Sequence, residues 1–158
     1  MQTTTQHEVH LDAKAVAALY DTDLYAWANA NAELLRQGKY QQIDVGHLIE
    51  EMQDMGKSQE HAIASHMRNL PMHLLKWHFQ PDKQSNSWKF AIRKARQEID
   101  DLVQENPSLS ALLAKALGRS YNKARQLAMD ETGLLGAIFP VDCPYSIEQI
   151  LSEDWLPS

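Results

Sequence analysis

The chain is poor in the residues that cross-link a fold, build sheets or cross a membrane. Cys143 is the only cysteine in 158 residues, so no intramolecular disulfide can form and nothing calls for an oxidising compartment. Thirteen Val and Ile and five Thr, three of them at Thr3, Thr4 and Thr5, stand against nineteen Leu and eighteen Ala. Strands therefore lack their β-branched material, while helices have theirs in excess. No stretch reaches the ~18 apolar residues of a membrane span, and residues 1–20 show no basic start followed by an apolar run. The expectation is a soluble, cytoplasmic protein with no membrane partner. A content of 44 % hydrophobic and 23 % charged residues excludes a disordered tail or a collagen-like fibre.

At this length one core is the default, so the expected organisation is a single helical domain over 1–158. Residues 1–17 form an N-terminal segment prone to fray, with an Ala-rich run at Ala13 to Leu19, and residues 134–158 form an ordered tail. The net charge of −6 is unevenly spread: residues 1–75 carry five basic and ten acidic groups, residues 76–96 six and one, and residues 97–158 four and ten. A basic segment within an acidic chain can steer an acidic partner or neutralise its own neighbours, and the second needs fewer assumptions.

The spacing predicts an all-α fold, an irregular bundle of about five helices. The first starts near Asp21 or Thr22 and stops at Gly38, with Leu24, Trp27, Ala28, Asn31, Leu34 and Leu35 inward. Asp44 caps a second, in which Val45, Leu48, Ile49, Met52 and Met55 recur at three and four residues, and Gly56 ends or loosens it. Ser58 caps a third, running to about Phe79 over Ile63, Met67, Leu70, Leu74 and Trp77. Pro71 predicts a kink or break there. The stretch from Leu70 to Phe79 is apolar on nearly every side, as befits a central buried helix. Ser85 or Ser87 caps a fourth helix that Asn106-Pro107-Ser108 ends. The fifth runs from Leu109 to about Thr132, closed by Gly133, and Ser146 to Gln149 resembles a capping box for a short turn through Leu151.

His47, Glu50, Glu51 and Asp54 share one helical ridge with metal-ligand chemistry. That ridge lies about 150° from the apolar stripe, so it is expected to face water without ligands from a second helix, and no metal is predicted. His-x-x-x-His, His-Glu-x-x-His and Glu-x-x-His patterns are missing, and no motif implies a cofactor. His66 and His73 fall about 70° off the third stripe, at the core boundary, where an imidazole is usually bonded to a carboxylate or carbonyl. His73 needs a partner on another helix. Lys76 must snorkel or find an acid, and Glu131 is the candidate. A hydrolase or nuclease would use His73 and Glu131 as catalytic residues.

Lys76, Trp77, Phe79, Lys83, Trp88, Lys89, Phe90, Arg93, Lys94 and Arg96 combine cations with rings, as nucleic-acid sites do. Core placement of Trp77 and Trp88 leaves Lys89, Arg93 and Arg96 as an exposed row, partly absorbed by Lys94–Glu98 and Arg96–Asp100 pairs. With an acidic chain, nucleic acid is the disfavoured partner. Cys143 reads as a buried structural thiol, and Asp21 and Asp23 as helix caps.

Tyr20-Asp21-Thr22-Asp23-Leu24-Tyr25-Ala26-Trp27, Ile49-Glu50-Glu51, Met55-Gly56, His73-Leu74-Leu75-Lys76-Trp77, Gln80-Pro81, Ser87-Trp88, Glu131-Thr132-Gly133-Leu134, Phe139-Pro140 and Cys143-Pro144-Tyr145 follow in order. This series resembles the bacterial, largely cyanobacterial, domain of unknown function twenty-nine family over about residues 18–157. Leu24 departs from it, standing where the family has an aromatic. The resemblance implies a helical domain in a bacterial cell and supplies no activity and no site residues. The leading expectation is a non-enzymatic module for protein interaction or self-association, which requires an exposed apolar patch.

Overall fold

The computed structural model describes residues 12–158. Six α-helices follow in order: α1 (Ala13–Thr22), α2 (Leu24–Arg36), α3 (Val45–Phe79), α4 (Asn86–Glu105), α5 (Leu113–Thr132) and α6 (Ile147–Leu151). Among the described residues there is no strand, so the all-α expectation holds.

The first expected boundary is wrong. Asp12 caps α1 by accepting from the Ala15 amide at 2.8 Å, and Asp23 then ends that helix and caps α2 through the Ala26 amide at 2.9 Å. One acid thus serves two helices where a single helix start was expected. Of the segment read as prone to fray, residues 1–11 lie outside the described residues, while 13–17 are helical and Val16 is fully buried.

The second and third expected helices are one. α3 runs unbroken for 35 residues through Gly56 and Pro71. Of the kink or break predicted at Pro71, no break occurs: Pro71 lies in the buried run from Leu70 to Trp77, where tertiary packing outweighs a lost hydrogen bond. The fifth helix is also shorter than expected, since Pro107–Leu112 is a 3-10 turn and α5 begins at Leu113.

Packing divides the described chain into two compact units, one ending at Met55 and the other beginning at Gly56. In the first, α1 and α2 pack on each other and on the turn at Tyr40–Gln42, and Tyr20 of α1 meets His47 and Glu51 at the start of α3. In the second, Ile63, Met67, Leu70 and Leu74 of α3 meet Ile92 and Ile99 of α4, and Leu117, Tyr121 and Ala124 of α5. Fully burying each large aliphatic chain contributes about 1.5–3 kcal/mol.

The tail of the second unit is ordered, as the sequence predicts. Ser146 and Gln149 form both halves of a capping box on α6. Phe139, Tyr145 and Ile150 are buried, and polar clamps add to them. Arg125 donates to the carbonyls of Phe139 (3.0 Å) and Gly136 (2.6 Å), and the Tyr121 hydroxyl donates to that of Pro140 at 2.8 Å. The Arg96 guanidinium donates to the carbonyls of Ile150 (2.8 Å), Glu153 (3.0 Å) and Trp155 (2.8 Å).

Candidate functional site

Asp44 caps α3 and is the polar hub of the first unit. Its side chain is buried, so every donor around it matters. Trp27 Nε1 donates to its Oδ2 at 2.9 Å, and His47 Nδ1 lies 2.5 Å from the same oxygen. The His47 amide donates to Oδ1 at 3.4 Å, and the Asp44 amide donates to Asn31 Oδ1 at 2.9 Å. Burial works against the charge on Asp44, but the bonds from His47 and Trp27 outweigh it and hold the carboxyl below its ordinary 3.8. The same contact raises His47 above its ordinary 6.5.

Tyr20 of α1 completes the cluster. Its ring stacks on His47 with centroids 3.9 Å apart and meets Trp27 edge-on at 5.1 Å. Its hydroxyl donates to Glu51 Oε1 at 2.7 Å, which pushes the phenol up to about 12. An Asp–His pair can orient an imidazole for proton transfer. Here its neighbours are two rings, an amide and an acid whose phenol partner is held protonated, so the arrangement ties α1, α2 and α3 together.

This cluster reverses the expected orientation of the start of α3. The ridge of His47 and Glu51, expected to face water, is engaged by Tyr20 and Asp44, while Glu50 and Asp54 lie exposed. The stripe expected to face inward is mostly bare: Val45 is 55 % exposed, Ile49 50 %, Met52 70 % and Met55 71 %, and Leu48 alone is partly buried. Leu24 and Leu35 of α2, also expected inward, are exposed as well, and only Trp27 and Asn31 of that stripe are buried. Among the described residues no three His, Cys, Asp or Glu side chains gather as a metal site.

In the second unit, Lys76 is buried and forms an ion pair with Glu131, the acid expected for it. Its ammonium also sits over the Trp88 ring at 4.7 Å. His73 Nδ1 is buried without a hydrogen-bond partner, contrary to the expected partner on another helix. Burial first, and then the Lys76 charge, lower its proton affinity. His73 and Glu131 thus share a neighbourhood with Lys76, but the ammonium occupies the acid. His66 pairs with Glu98 at 3.2 Å, as a boundary histidine should.

A family model described as "Domain of unknown function DUF29" matches residues 19–156. The chain belongs to the DUF29 family. No curated protein and no solved structure matches it.

In this DUF29 chain the predicted basic row is only partly formed. Lys89 leans over the Trp77 ring at 5.4 Å and Arg93 is exposed. Arg96 is a correction: only 7 % exposed, it holds the tail carbonyls instead of pairing with Asp100. Cys143 is half-buried, its thiol pushed up by burial. The Asp44 hub went unread because a cap explains an aspartate before a helix completely. Two signals pointed to it: an indole and a mid-helix Asn, Trp27 and Asn31, share one apolar stripe, and both need polar partners once buried.

Proposed function

We propose that this chain is a non-enzymatic protein-interaction module whose docking face is the bare stripe of α3. The carrying observation is that Val45, Ile49, Met52 and Met55 all stand at least half exposed on one helix face. Val45, Ile49, Met52 and Met55 are spaced four, three and three, as residues on one helix face are, so the occupant is a helix. Methionine side chains there adapt to the shape of a partner.

Charge selects the partner. Residues 12–55 hold three basic groups (Lys14, Arg36, Lys39) and eight acidic ones, a net of −5. Two copies of this unit repel, whereas a helix with an apolar stripe flanked by Lys and Arg is attracted. The site clusters support the same reading, since the Asp44 and Lys76 groups spend their hydrogen bonds within the fold.

The test is fluorescence anisotropy with a synthetic amphipathic Leu/Lys helix, its Leu/Glu counterpart, and the full chain. The Leu/Lys peptide binds, weakens with salt, and loses about tenfold or more in affinity against Met52→Ser, from the lost apolar contact. Equal binding of both peptides, or none, refutes the proposal. So does sedimentation showing a dimer that Met52→Ser dissolves, which assigns the face to a second copy.

A further inference from the structure

The exposed face of α4 carries its charges in the order a helix tolerates least. Acids are favoured in the first turns of a helix and cations in the last. Here Lys89, Arg93 and Lys94 stand in the first half and Asp100, Asp101 and Glu105 in the second. Lys89 and Arg93 are four residues apart, as are Asp101 and Glu105, so like charges also repel along the helix. Neither arrangement helps α4 by itself.

The pattern has a centre. Lys94, Arg93 and Lys89 lie three, four and eight residues before Gln97, and Asp100, Asp101 and Glu105 lie three, four and eight after it. Turned end over end about Gln97, the face presents acids to its own cations. At about 100° per residue, Arg93 and Asp100 fall on one flank of Gln97, and Lys94 and Asp101 on the other, all within about 60° of it. Phe90 and Gln104 lie near the midline, and all seven are exposed, Phe90 by 66 %. Against an antiparallel copy each flank meets the same flank. Arg93 then comes level with Asp100 of the second copy, and Lys94 with its Asp101, to within one residue or about 1.5 Å along the axis.

These groups are available. Arg93 and Asp101 form no ion pair among the described residues. Asp100 accepts from Gln104 at 2.6 Å through Oδ2 and keeps Oδ1, and Lys94 lies 3.7 Å from Glu98 on an exposed side chain. Exposed contacts of this kind within one helix are weak and readily exchanged. Residues 56–158 carry twelve basic and twelve acidic groups, so no net charge on this unit opposes its pairing with itself. We infer that α4 is a self-association surface, on which two copies of the chain pair antiparallel about Gln97, with Arg93 on Asp100, Lys94 on Asp101, and Phe90 covered by Gln104 of the second copy.

Sedimentation equilibrium of the full chain tests this with two charge-reversed variants, Arg93→Glu/Lys94→Glu and Asp100→Lys/Asp101→Lys. All four positions are exposed and each reversal suits the helix dipole better, so neither variant is expected to disturb the fold. The wild-type chain dimerises, and the dimer weakens with salt. Each variant alone dimerises about tenfold or more weakly. An equimolar mixture of the two recovers the dimer, because the acidic face of one meets the basic face of the other. Met52→Ser leaves the dimer intact, which separates this surface from the bare stripe of α3. A monomer at about 1 mM chain, variants that dimerise like wild type, a mixture that stays monomeric, or a dimer that Met52→Ser dissolves overturns the inference.

Discussion

His47 Nδ1 lies 2.5 Å from Asp44 Oδ2, so a ring on a polar ridge is tied inward to the acid that caps its own helix. The tie has a pH window. Asp44 titrates below its ordinary 3.8, so its contribution is full above pH 3.8 and is lost as pH falls through the lowered value. His47 titrates above its ordinary 6.5, so its contribution is full below pH 6.5 and is lost as pH rises through the raised value. Thermal melts from pH 4 to 9 should show this alkaline loss in the wild-type chain, and His47→Gln should flatten it.

Arg96→Lys should release the tail. An ammonium cannot serve three carbonyls held by one planar fork, so the substitution is not conservative here. The expected cost is about 3 kcal/mol, from lost charge-assisted bonds and unsatisfied carbonyls. Hydrogen exchange should show amides of α6 and residues 152–155 losing protection before those of α4.

Lys76 and Glu131 should respond asymmetrically. Glu131→Ala leaves a buried ammonium with only the Trp88 ring, at an expected cost of about 2–3 kcal/mol. Lys76→Met removes the charge, keeps the volume, and should stay within about 1 kcal/mol of wild type. Urea unfolding of the two variants measures the difference.

Much of the second unit could be read from spacing alone. Ile92, Ala95 and Ile99, or Leu117, Tyr121, Ala124 and Ala128, are buried where a helical period puts them, because several elements converge there and the largest apolar face wins. The start of α3 obeys a different rule. Among the described residues of the first unit no helix covers its apolar face, while Trp27 and Asn31 demand polar partners and find them through Asp44. Periodicity reports which residues share a face; it does not report which face is covered. The tail clamps were hidden for a related reason, since arginines on α4 and α5 look like surface charge until the carbonyls of a distant segment arrive.

Two glycines should answer alanine with opposite signs. Gly118 lies exposed within α5 with open space where a Cβ would stand, so Gly118→Ala should stabilise by about 0.5–1 kcal/mol. Gly133 ends α5 at φ 69°, so Gly133→Ala should destabilise by about 1 kcal/mol. Paired denaturation curves settle the signs.

The central claim is that the stripe on the first half of α3 stands open and is closed by a basic partner helix. Limited peroxide oxidation, followed by mass spectrometry, tests both parts at once through the methionines of one helix. Met52 and Met55, 70 % and 71 % exposed, should oxidise rapidly in the free chain while the fully buried Met67 stays protected, and a Leu/Lys helix should slow Met52 and Met55 alone. Slow oxidation of Met52 and Met55 in the free chain, or rates that the peptide leaves unchanged, would contradict it.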